Sequence, residues 1–212
     1  MEDKNISIKK AFSFGWEKLK EKFVFLITLV AIIWFASIIP SIVIEKIKDG
    51  FPTTSNLLLI FSAIISIILN IGIMKISINF ADKKTSKIKD LVSSYELFFK
   101  YLGTLIIYWL IILGGLILFI VPGIIWAIKF QFFGFELIDK NLKPIDALKR
   151  SSKITKGHKL KLFVFNLLSG SINLLGVAMF GLGIFITIPI TSLALGYIFR
   201  KLSPQKTKNK QK

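Results

Sequence analysis

The stretch from Phe23 to Ile44 carries no charged side chain, and it is the first of four apolar runs that leave this chain little choice of environment. Leu57 to Phe80 contains only Lys75, near its end. Leu102 to Ile138 is interrupted by Gly114, Gly115, Pro122, Gly123 and Lys129, and Leu162 to Phe199 is broken near Phe180-Gly181-Leu182-Gly183. A helix crossing a hydrocarbon core of about 30 Å needs about 20 mostly apolar residues, more than most buried helices of soluble domains contain. At about 1.5 Å per residue the last two runs are too long for one crossing each, so each reads as two helices. The expected fold is therefore all-α: a polytopic membrane protein with six transmembrane helices in three hairpins. The first run is too long for a removable signal peptide and no small-residue cleavage pattern follows it, so it is expected to stay as an anchor.

Charge supplies the orientation. The net charge of +17 would suit nucleic acid in a soluble chain, but here the location of the charges matters more than their sum. Of 29 lysines and arginines, six precede Phe23, five lie between Ala81 and Tyr101, eight between Asp139 and Leu162, and six follow Phe199. The positive-inside rule then places both termini and the two long loops in the cytoplasm of a bacterial inner (plasma) membrane, with anionic lipids as the expected partners and no nucleic acid. Lysine outnumbers arginine 27 to 2, which reads as the coding bias of an AT-rich genome. Cysteine is absent, which excludes disulfides and thiolate metal sites.

The cytoplasmic segments show helical periodicity. Ile8, Ala11, Phe12, Gly15, Leu19 and Phe23 share one face, and Ile88, Leu91, Val92, Tyr95, Phe99 and Leu102 follow the i, i+3, i+4, i+7 pattern more closely still. Ser86 is the expected N-cap of the second segment, and Pro144 suits the first turn of a third that carries Ile145, Ala147 and Leu148. Starting near residues 8, 88 and 145, the three segments suggest a threefold repeat within a domain spanning 1–202: an amphipathic cytoplasmic helix, then a hairpin. The basic tail 203–212, SPQKTKNKQK, has no apolar residue and is expected to be disordered.

Catalytic signals are poor. His158 is the single histidine, no phosphate loop, dinucleotide fingerprint, nucleophile elbow or HExxH occurs, and most of the acidic residues sit in cytoplasmic segments beside lysines, where surface pairing explains them. No catalytic residue, metal ligand or cofactor is expected. Polar residues inside the apolar runs form two stripes, Ser62, Ser66, Asn70 and Ser77 on the second crossing and Asn166, Ser169 and Asn173 on the fifth. Such residues let helices approach and bond across a seam, or line a polar path. Lys75 lies near a helix end and can snorkel. Lys129 depends on the turn of the second hairpin: a turn at Pro122-Gly123, favoured by turn chemistry, buries it, whereas a turn at Gly114-Gly115 lets it snorkel. The candidate intramembrane polar site is accordingly Lys129 with Asn70, Ser66, Tyr108, Asn166 and Asn173. The candidate contacts to lipid headgroups are Lys149, Arg150, Lys153 and Lys156.

Pro122-Gly123 followed by IIWAIKF, then Leu137-Ile138-Asp139, then Ala147-Leu148-Lys149-Arg150-Ser151-Ser152 and Lys156-Gly157 resembles a broad family of bacterial integral membrane proteins. That family includes the membrane domain found beside glycerophosphodiester phosphodiesterase domains and its stand-alone relatives. Gly181-Leu182-Gly183, Pro189 and Tyr197-Ile198-Phe199 are similar to its closing hairpin, although Ile190 stands where a tyrosine often follows the proline. The resemblance covers mainly Val121 to Leu202. It implies a six-helix membrane domain with a basic residue at the Lys129 position, and it does not imply phosphodiesterase activity, because the catalytic domain and its acidic ligands are absent from this sequence. The expected role is a non-enzymatic membrane scaffold or lipid-associated accessory protein; the alternative is a small transporter or channel-like protein with a polar path between helices.

Overall fold

A computed structural model describes residues 6–179 and 181–205. Among these the secondary structure is helical, with no strand. Helix α1 (Ile8–Glu21) opens on Ser7, whose hydroxyl accepts from the Lys10 amide, and is followed by the hairpin of α2 (Phe23–Ile47) and α3 (Pro52–Ala81). Next come α4 (Phe98–Leu118), α5 (Ile120–Phe130), α6 (Phe133–Lys140) and α7 (Pro144–Ile154), and finally the hairpin of α8 (Lys159–Ala178) and α9 (Ile184–Leu202). Six segments are long and apolar enough to cross a membrane: α2, α3, Ile88–Leu118, Ile120–Lys140, α8 and α9.

Burial is concentrated at one end of the bundle. The core draws on Leu26 and Leu29 of α2, Ile71, Ile76 and Phe80 of α3, Phe165 of α8, and Leu193, Ile198 and Phe199 of α9. These are the halves of each helix nearest the basic segments. The opposite halves expose Phe35, Ile39, Leu59, Phe61, Ile117 and Leu174, the surface that a lipid-facing helix presents. Helix α9 is central, packing on α1 along one side and on α3 and α8 along others.

The first amphipathic segment does not lie apart beneath the bundle but packs closely against α9. Gly15 of α1 meets the backbone of Ile190, about 18 Å up α9 from its end at Leu202. The second segment departs further from expectation. It is two 3-10 turns, Ile88–Leu91 and Tyr95–Leu97, rather than one helix before α4. Polar side chains compete with the helical ladder there: Asp90 accepts from the Lys87 amide at 2.9 Å and Ser93 donates to the Asp90 carbonyl at 3.0 Å. Ser86 is no cap; Lys87 holds that position and Ser86 accepts from Asn79 instead. Pro144 does occupy the first turn of α7.

The second hairpin turns at neither expected place. Phe119, extended at φ −167° and ψ 155°, is the single residue between α4 and α5. Gly115 and Gly123 flank it and allow the two backbones to touch, and Pro122 falls in the first turn of α5, where its missing amide hydrogen leaves no bond unmade. The ordered chain also runs past 203. Ser203 is buried and Gln205 donates to Asp82 at 2.6 Å, while residues 206–212 of the expected disordered tail lie outside the described residues.

Candidate functional site

Two polar centres occupy the buried end. The first is ionic. Glu136 of α6 is 0% exposed, Asp82 at the end of α3 7%, and Asp139 of α6 11%. Arg200 of α9 joins two of them: Nη2 donates to Asp139 Oδ1 at 2.7 Å and to Asp82 Oδ2 at 2.9 Å, and Nη1 donates to the Ser203 carbonyl at 3.1 Å. Its Nε lies 2.6 Å from Asp82 Oδ1 without aiming a hydrogen at it, so that contact is electrostatic. Glu136 accepts from Arg150 Nε at 3.0 Å, Lys140 Nζ at 2.9 Å and Ser203 Oγ at 2.8 Å. The cluster thus ties the ends of α3, α6, α7 and α9 together, and each buried carboxylate has a cation beside it, as burial requires.

The expectation that the acids are surface-paired fails for these three. Both arginines of the chain serve this cluster, and that was the available signal: in a lysine-rich sequence, the two positions that keep arginine are those where a planar fork meets a buried carboxylate.

The second centre is the break between α5 and α6. The helix pauses at Gln131-Phe132, and α7 supplies the missing bonds. Ser151 Oγ accepts from the Phe132 amide and donates to the Lys129 carbonyl, each at 3.1 Å. Thr155 Oγ1 shares its hydrogen between the carbonyls of Lys129, at 3.0 Å, and Ser151, at 2.9 Å. Broken helices persist at membrane depth only where other groups satisfy the freed backbone, and these hydroxyls do so. Beside the break a pocket of about 270 Å³ opens between α4, α5 and α8. Its polar wall is Tyr108, Gln131 and Asn166; Ile124, Phe163 and Leu167 form an apolar part. Asn166 Nδ2 donates to Gln131 Oε1 at 2.9 Å, Tyr108 donates to the Ala127 carbonyl at 3.3 Å, and Gln131 Nε2 is buried with no partner.

The candidate polar residues therefore divide. Tyr108 and Asn166 come together, with Gln131, which the stripes did not include. Lys129 contributes its carbonyl to the break while its ammonium lies 4.8 Å from the centre of the Phe130 ring, with no carboxylate of the described residues within ion-pair distance. Asn70 is exposed and donates to the Ser66 carbonyl of its own helix. Asn173 faces Thr191 of α9, so the α8 stripe is divided between two neighbours. Lys149 and Lys153 of α7 and Lys156 in the turn after it are exposed, whereas Arg150 turns its Nε to Glu136 and is not free for a headgroup in the same way.

Six apolar helices packed in this manner define a multi-pass membrane protein. The chain belongs to the family described as a domain of unknown function (DUF7847), which matches residues 92–207. That match brings no link to glycerophosphodiester phosphodiesterases. No curated protein and no solved structure matches the chain.

Proposed function

We propose that this protein is a non-enzymatic, lipid-associated membrane protein of the plasma membrane, with both termini cytoplasmic and a basic surface that gathers anionic lipid. The observation that carries this reading is the sorting of charge: Glu136, Asp82 and Asp139 are drawn inward and paired, while Lys149, Lys153 and Lys156 stay exposed along one side of the α7 segment. Each exposed basic residue near an anionic surface adds about 1 kcal/mol of attraction, and salt weakens it.

In nanodiscs of mixed phosphatidylcholine and phosphatidylglycerol, spin-labelled phosphatidylglycerol is expected to associate in preference to the choline lipid. The combined substitution Lys149→Gln, Lys153→Gln and Lys156→Gln, or 0.5 M salt taken as a strongly screening condition of roughly 4 Å Debye length, removes most of that preference. Equal association of the two lipids with the unaltered protein at low salt overturns the reading.

Orientation has its own test, made simple because the chain contains no cysteine. Asp49→Cys and Leu182→Cys are expected to react with an impermeant maleimide added outside intact cells, and Lys153→Cys only after lysis; the opposite pattern inverts the topology. The broken α5–α6 span favours the second reading, a transporter, since discontinuous helices beside polar pockets are how many transporters bind cargo. Its discriminating result is labelling of Ala127→Cys by the same water-borne reagent.

A further inference from the structure

We propose that the pocket between α4, α5 and α8 binds an uncharged single-chain amphiphile whose hydroxyl or carbonyl oxygen accepts from Gln131. This rests on the lipid-associated reading but on different residues from the basic face, so the two fail separately.

Four observations point to this ligand. The pocket's apolar rim includes Ile124, Phe163 and Leu167, all exposed and all on membrane-spanning segments, so what enters comes from the hydrocarbon. Its volume of about 270 Å³ is many times the roughly 10–15 Å³ that one water needs, room for a stretch of one chain and a small polar group. None of its lining side chains is charged, and a charged head at that depth would need a partner. Finally, the Asn166–Gln131 bond leaves Gln131 Nε2 unpartnered and cut off from water, an amide donor whose cost a ligand oxygen relieves once the side chain turns it to the pocket. Asn166 lies about 10 Å along α8 from Lys159, near the depth at which the ester or hydroxyl end of a neutral amphiphile enters the chain region.

The full-length protein in phosphatidylcholine nanodiscs is irradiated with a monoacylglycerol that carries a diazirine in its chain and a terminal alkyne. Label is expected on peptides containing Tyr108, Gln131 or Asn166. Unlabelled monoacylglycerol displaces it at concentrations about fivefold or more below those needed of an alkane of equal length, the factor set by one hydrogen bond. An ionised fatty acid competes as poorly as the alkane. Gln131→Leu, checked for unchanged elution on size exclusion, loses the fivefold advantage. Labelling spread in proportion to lipid-facing surface, or an alkane that competes as well as the monoacylglycerol, overturns the proposal, and the competition on the unaltered protein decides it without any variant. Loss of phosphatidylglycerol preference with pocket labelling intact removes only the basic-face reading.

Discussion

Arg200→Ala is expected to destabilise the protein by about 3–5 kcal/mol, and Arg200→Lys to recover only part of that loss. Arg200 bonds Asp82 of α3 and Asp139 of α6 together with the Ser203 carbonyl, and both carboxylates are almost wholly buried. Removing the guanidinium takes from Asp139 its charged partner and leaves Asp82 only the Gln205 amide and the longer Lys84 contact at 3.7 Å, so two buried negative charges lose most of their compensation. A lysine carries the same charge but offers a single point of attachment, so it serves one carboxylate and leaves the other without the bond that the guanidinium made. Thermal unfolding in mild detergent, followed by fluorescence of the four tryptophans, gives the measurement. The double substitution Asp82→Asn with Arg200→Lys then costs less than Arg200→Ala alone, because one of the two under-compensated charges has been removed and the lysine serves the other. If lysine serves as well as arginine, the fork geometry is irrelevant and the cluster is merely a sum of charges.

Gly72→Ala is the second large effect. A Cβ at Gly72 would come closer than 3.0 Å to the backbone oxygen of Leu91, and a carbonyl held within a 3-10 turn cannot swing aside as a flexible side chain can. The expected cost is about 3 kcal/mol or more, at the upper end of what overpacking produces. Gly170→Ala supplies the contrast. Nothing lies within 4 Å of a Cβ there, so the same chemical change is expected to raise stability by about 0.5–1 kcal/mol through lower backbone freedom in the unfolded chain. Parallel melting curves for the two variants separate a packing requirement from helix propensity. Similar curves would mean that the segment carrying Leu91 moves away from α3 at little cost.

Both predictions concern the buried end of the bundle, and this end divides what could be read early from what could not. The four apolar runs, from Phe23 to Phe199, settled the class, because the hydrocarbon thickness and the rise of a helix leave no other use for runs of that length with so few charges. Helical periodicity located α1, and Pro144 marked the start of α7. Periodicity failed at Ile88–Leu102, where Asp90 and Ser93 bond to nearby backbone and produce 3-10 turns, a local competition that a count of apolar positions does not register.

The candidate site was legible in part. Tyr108 and Asn166 stood out as polar residues inside apolar runs, and the structure brings them to one pocket. Gln131 did not stand out, nor did the break beside it, because nothing in FQFF ends a helix by itself. The break exists because Ser151 and Thr155 arrive from α7 to take its free amide and carbonyl groups. The same holds for the acids. Glu136 beside Lys140 reads as an ordinary helix pair until Arg150, Ser203 and the packing of α9 close over it.

What the sequence by itself determined is thus the environment, the number of apolar crossings and the basic character of their connecting segments, properties that depend on composition summed over neighbours in the chain. What only the tertiary structure decided is which polar groups are buried and with whom, since those bonds join residues far apart in sequence: Asp82 to Arg200, Gln131 to Asn166, Lys129 to Thr155. A polar side chain carries no mark of its burial until the helices that cover it are in place.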